Sequence, residues 1–184
     1  MKIVILCLGT RGDVEPLLSL GKVLQARGHA VTLCGPDNCA GWVREEHGLP
    51  FAPLGFDFKT LMQSREVREA RNMEAAIGKA VIAAMPAALR AASDCAERVS
   101  VELVVCSVTF PGGPDLAEAH GAALVTVALA PVFPTSRFPF FMLSVGPFGC
   151  CLNRASYLMP AMGRAMHRAA LTQWRRESLR YASR

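Results

Sequence analysis

The chain opens with a continuous apolar run, Ile3-Val4-Ile5-Leu6-Cys7-Leu8, in which no polar positions alternate. Such a run is expected of a strand buried on both faces of a parallel sheet. A glycine turn follows, and then Val14, Leu17, Leu20 and Leu24 recur at three or four residues until Gly28. That period predicts an amphipathic helix, with Pro16 in a first turn that can accept it. Ala30–Cys34 is a second apolar run and closes a βαβ unit, parallel and right-handed by the usual crossover rule. Further on, the pattern predicts a helix over Asp37–Glu46, a strand at Leu49–Leu54, and an exposed loop or lid over Asp57–Asn72. An alanine-rich helix over Met73–Val99 should kink or split at Pro86. Two more buried strands, Glu102–Ser107 and Ala122–Ala128, bracket a helix started by Pro111 and running through His120. Residues 131–151, rich in Pro, Phe and Gly, cannot be regular for long. Beyond them Ala155, Leu158, Met162, Ala165, Met166 and Ala169 mark one apolar stripe, with Arg164, Arg168 and Arg175 off it. The alternation predicts an α/β fold: one domain over residues 1–184, with a doubly wound, mostly parallel Rossmann-like sheet flanked by helices.

Composition agrees with a packed core, since 52% of the residues are hydrophobic and only 19% charged. The net charge of +5 is uneven: residues 1–136 carry 12 Lys+Arg against 14 Asp+Glu, and residues 137–184 carry 8 Arg against Glu177 alone. That tail has few aromatics and matches no nucleic-acid module, so a nucleic-acid partner is not expected. The tail reads as a solvated basic face or as a surface covered by a second domain, an anionic membrane in peripheral contact, or a lipid acceptor. The seven cysteines are odd in number, and several lie in apolar runs. They lack the repeated CxxC and His spacing of a zinc site, which favours packing thiols in a reducing cytoplasm and no metal. The N-terminus lacks a cleavage pattern, and the apolar stretch Phe138–Leu152 is too short and too often broken to cross a membrane.

Candidate chemistry concentrates at the first glycine turn. In an open parallel sheet, ligands bind beyond the carboxyl ends of the strands, where helix N-termini and loop N–H groups point outward. Gly9 and Gly12 are spaced GxxG, which is neither the GxGxxG of a dinucleotide site nor a P-loop. On local physics alone Asp13 and Glu15 cap the first helix and offset its dipole, and Arg11 is a surface partner for one of them. The four histidines lack companions at ligand or triad spacing. Ser107 and Thr109 read as a helix cap before Pro111, with ligand contact as the alternative.

The stretch "LGTRGDVEPLLSLGKVLQARGHAVTLCGP" resembles the opening of the family-28 and sterol-type glycosyltransferases of the GT-B fold, which begin with a G[ST]RGD-x-x-P loop. "APVFPTSRFPF" (Ala130–Phe140) resembles the P-x-x-P-T-x-x-F-P segment of their sterol and lipid branch, and "WRRESL" (Trp174–Leu179) the W-R-x-x-x-L stretch late in their N-terminal domain. The resemblance implies the N-terminal, acceptor-binding half of a GT-B fold. It further implies inverting transfer of a hexose from a UDP- or dTDP-sugar cosubstrate to a hydroxyl of a lipid, sterol or other hydrophobic acceptor. Asp13 matches the catalytic base. Thr10, Arg11 and Gly12 would line the donor phosphates, and Phe133, Phe138, Phe140, Phe141 and Met142 the acceptor. No metal or other cofactor is implied. In such families the donor is held mainly by a C-terminal domain, which these residues do not contain. The chain is therefore expected to need a donor-binding domain or partner subunit and to be inactive alone. A non-catalytic module that binds only an acceptor or a partner is the alternative.

Overall fold

The computed structural model describes residues 1–140, 143, 146, 148–158, 165 and 167–179. Five parallel strands form one sheet: β1 (Lys2–Leu6), β2 (Ala30–Gly35), β3 (Phe51–Pro53), β4 (Leu103–Ser107) and β5 (Ala123–Val127), in the order β3-β2-β1-β4-β5. β1 lies at the centre, with Ile3 level with Val31 on one side and Leu103 on the other. The period of two along β1 divides its side chains between two cores. Ile3 and Ile5 pack with Val14, Leu17 and Leu18 of helix α1 (Arg11–Ala26). Val4 and Leu6 pack on the opposite face with Met85, Leu89 and Ala92 of α4 (Met73–Val99), Leu116 of α5 (Gly113–Ala119), and Leu171 and Trp174 of α7 (Arg168–Glu177). Each fully buried Leu or Val contributes about 1.5–3 kcal/mol, so the two faces together fix the sheet. By length and composition Ala75–Val99 could cross a membrane, but its Met85, Leu89 and Ala92 belong to the core.

The α/β reading holds, and several element boundaries differ from expectation. Helix α1 starts at Arg11, so Pro16 is inside the helix rather than in its first turn. The proline removes the N–H that would otherwise bond the Gly12 carbonyl. Asp37–Glu46 is not an α-helix: it opens as a 3-10 turn at Asp37–Cys39 and ends as a wide π turn at Trp42–Glu46. The passage after Asp57 holds two short helices, α2 (Phe58–Gln63) and α3 (Arg65–Arg68), capped by Asp57 and Ser64. These polar residues are caps, not merely loop composition. α4 runs from its Asn72 cap through Pro86 without a break, held by its buried face. α5 begins at Gly113 with Pro114, not Pro111, at its start.

β5 is the largest departure, since an apolar run read as a buried strand is an exposed edge. Its partner is β4, and Leu124 and Val125 are exposed. An apolar run looks the same in sequence whether one neighbour covers it or two. The expected stripe near the C-terminus also fails among the described residues: Ala155, Leu158, Ala165 and Ala169 are exposed. Instead α6 (Cys150–Ser156) buries Asn153, the turn after it buries Tyr157, and α7 buries Leu171 and Trp174. The end of α6 resets the phase, which a single helical period across 155–169 could not anticipate. Met162 and Met166 lie outside the described residues.

Candidate functional site

The strand order places a reversal between β1 and β4. α1 leaves β1 across one face of the sheet and α5 leaves β4 across the other, so the carboxyl ends of these neighbours form a topological switch point, the place where open α/β sheets bind ligands. Thr109 Oγ1 donates to the Leu8 carbonyl at 2.9 Å and lies 2.9 Å from Ser107 Oγ, which stitches the two strand ends together. Ser107 and Thr109 are thus cross-strand ties and not a helix cap. Nothing in their spacing signals this, because the Leu8 partner lies 101 residues away.

Gly9 turns the chain out of β1 with φ of +141°, a backbone that side-chain-bearing residues rarely adopt. A Cβ there would also overlap the Asp13 carboxyl. Thr10 follows as the N-cap of α1. Asp13 Oδ2 accepts from the Thr10 backbone N–H at 2.8 Å and from Thr10 Oγ1 at 3.1 Å. This is half of a capping box, with a carboxylate reaching back to the N-cap N–H. Both bonds fall on one oxygen, and Asp13 Oδ1 has no hydrogen bond among the described residues. Thr10, Arg11 and Gly12 are exposed and Asp13 is half-buried. The arrangement holds a carboxylate in one orientation with an acceptor oxygen to spare.

Behind the loop the environment is dry. Burial, with smaller contributions from Cys39, Asp13 and Cys106, pushes the Cys7 thiol far above its ordinary range. Burial also pushes Cys106 up to about 12. Both are neutral packing groups, as are Cys34 and Cys39, whose thiols are also pushed up; the buried Cys95 is instead lowered to about 7 by its hydrogen bond with Cys34 and by Arg98, and Cys150 and Cys151 are exposed. Arg11 takes Glu15 as its partner, 3.6 Å away, and lies over the Trp42 ring at 4.3 Å from the centroid. Thr10, Arg11, Gly12 and Asp13 thus form the N-cap and first turn of α1.

The phenylalanines divide. Phe133 and Phe138 are exposed, at 77% and 43%, and offer apolar surface. Phe140 is buried edge-to-face against Tyr157, with its N–H bonded to Ser156 Oγ at 2.7 Å, so it anchors its segment to α6. Asn153 ties the same region together through the Phe148 N–H and the Ser136 carbonyl. Phe141 and Met142 lie outside the described residues. The Trp174-Arg175 pair has a structural place: Trp174 fills the core against α4, and Arg175 forms an ion pair with the buried Asp115.

Residues 3–139 match the glycosyltransferase family 28 N-terminal domain. A sterol 3-beta-glucosyltransferase of Arabidopsis thaliana is 30% identical over 151 residues, 76% of this chain and 24% of the relative. The chain thus spans about a quarter of that relative's length. Two solved structures share its fold. The calicheamicin glycosyltransferase CalG4 superposes with a TM-score of 0.60 at 21% identity over 95% of this chain and 42% of its own. The glycosyltransferase SnogD from Streptomyces nogalater gives 0.59 at 17% identity over 97% and 42%.

Proposed function

The chain belongs to the glycosyltransferase family 28 N-terminal domain family, and from that membership we propose that it is the acceptor-binding half of an inverting glycosyltransferase. A hexose would pass from a UDP- or dTDP-sugar to the hydroxyl of a lipid, sterol or other hydrophobic acceptor. The observation that carries the proposal is the Asp13 carboxylate at the β1/β4 switch point, fixed through one oxygen by Thr10 and with no hydrogen bond on the other among the described residues.

In the proposed step the acceptor O–H donates to Asp13 Oδ1. As the acceptor oxygen attacks the anomeric carbon from the face opposite the diphosphate, its proton moves to the carboxylate. The bond from the anomeric carbon to the diphosphate breaks, and the nucleoside diphosphate leaves with the electron pair. A base needs hydrogen-bond reach, about 2.6–3.2 Å, and a fixed orientation. Thr10 supplies the orientation. Arg11 and the loop N–H groups would meet the charge that develops on the diphosphate. No resident metal enters the proposal.

A donor-binding domain or partner subunit completes the site, because transfer requires the anomeric carbon to be held against the acceptor oxygen. The exposed Phe133 and Phe138 suit an apolar acceptor, and the arginines of 137–184 suit peripheral contact with an anionic membrane at its cytoplasmic face. The test is a mixing assay with radiolabelled nucleotide sugar, a lipid acceptor, this chain, and a donor-binding half from a family relative. Transfer is expected from the mixture and not from either half. Failure of every such half to restore transfer would leave a module that binds acceptor or partner without catalysis.

A further inference from the structure

The aromatic residue beside the loop has no role in the step above. Trp42 sits on the π turn Trp42–Glu46, packed partly against the α1 core. One neighbour is the Arg11 guanidinium, 4.3 Å from the ring centroid. Another is His47, edge-on to the indole at 5.3 Å and 86°. The indole Nε1 is buried with no hydrogen-bond partner among the described residues. A buried unpaired N–H is unfavourable, so filling space does not call for an indole there; a phenyl or aliphatic group would fill it without that cost. What a ring supplies and an aliphatic chain does not is a negative face under a cation.

Arg11 is two-thirds exposed and sits in the first turn of α1. Free, such a side chain would spread over many rotamers. Held between the Trp42 face and Glu15, it loses that freedom before any ligand arrives, and its outer N–H groups remain available for a two-oxygen contact.

We infer that Trp42 is a positioning residue that holds the Arg11 guanidinium ready for the diphosphate of the donor. The inference rests on the donor-phosphate reading of Arg11 given above. Its test is a titration with UDP, at fixed ionic strength, of this chain mixed with the donor-binding half from a family relative, followed through the backbone amide signals of Gly9, Thr10 and Gly12 so that binding to the basic C-terminal region is not counted. Melting temperatures are recorded for each variant. Arg11→Ala is expected to weaken UDP binding about tenfold. Trp42→Leu is expected to weaken it about two- to fivefold, and Trp42→Phe, which keeps a ring face and removes the unpaired N–H, to bind within about twofold of the original. Adding Trp42→Leu to Arg11→Ala should cost nothing further. Unchanged binding in Trp42→Leu overturns the inference while leaving Arg11 in place. So does an equal loss in Trp42→Leu with and without Arg11, or an equal loss in Trp42→Leu and Trp42→Phe. If Arg11→Ala binds UDP like the original, or UDP bound by the mixture leaves the signals of Gly9, Thr10 and Gly12 unmoved, the phosphate role of Arg11 falls and that of Trp42 with it.

Discussion

Two loops leave adjacent strands of the same sheet, and each leads to a helix with an aspartate in its first turn: Gly9–Asp13 after β1 and Gly112–Asp115 after β4. In both, a glycine makes room where a Cβ would collide, Gly9 with the Asp13 carboxyl and Gly113 with the Cys106 thiol. In both, a buried neutral thiol backs the loop. They differ in what surrounds the carboxylate. Asp115 is buried and paired with Arg175 from α7, so its charge is committed to joining two helices. Asp13 is half-buried, is held among the described residues only by its own N-cap through one oxygen, and follows β1 at the strand reversal. Position at a helix start does not by itself make a carboxylate a base; the cation committed to the buried Asp115, against the half-buried place of Asp13 at the strand reversal, is what separates the two.

Breaking the Arg175–Asp115 pair should produce the largest effect. Arg175→Met removes a half-exposed cation from the buried Asp115 carboxylate and is expected to lower stability by about 2–4 kcal/mol, measured by urea unfolding; a loss below about 0.5 kcal/mol would show that Arg175 does not hold Asp115. Gly9→Ala acts on the other loop through the +141° backbone and the displaced Asp13. It should cost about 1–3 kcal/mol and, in the reconstituted transferase, remove most activity, whereas an active variant would place the base elsewhere. The shared thiol backing gives a pH test. Burial raises the pKa of Cys7 and Cys106 in the folded chain above the ordinary value of 9.0. Their contribution is complete below pH 9 and is lost above it, where the unfolded chain ionises first. The melting temperature should therefore fall between pH 8 and pH 10 as about 1 kcal/mol per thiol disappears, and a rise would contradict the dry backing. Thr10→Ala is the mildest change. It should cost about 0.5–1.5 kcal/mol through the lost Oγ1 bond to Asp13 and lower kcat more than it raises KM, because Asp13 loses one of its two anchors; a pure KM effect would assign Thr10 to binding alone.

The sheet was legible in the sequence because buried parallel strands are apolar runs and glycines punctuate them. What escaped detection depends on neighbours that the local pattern does not contain. β5 has the same apolar character as β4, but lies at an edge. Asp57 and Ser64 are caps of short helices rather than loop polarity. Arg175 meets Asp115 across 60 residues, and Thr109 meets Leu8 across 101. For the site, local physics identified Asp13 as a helix cap, and the structure agrees that it is one. Its proposed second role was legible only through the G[ST]RGD-x-x-P resemblance of that loop, while the unbonded oxygen and the place at the strand reversal come from the fold. Trp42 offered no signal at all, since only the fold of the π turn brings it under Arg11.

The central claim, that Asp13 is the base, is tested most directly by Asp13→Asn in the transferase reconstituted with a donor-binding half. Asparagine keeps the shape of the residue and a side-chain oxygen for the Thr10 bonds, but cannot accept the proton. A fall in kcat of about 10²- to 10⁴-fold, with the melting temperature and UDP affinity nearly unchanged, is the predicted result. An Asp13→Asn enzyme that retains kcat within about tenfold of the original would contradict the claim and leave Asp13 as a helix cap alone.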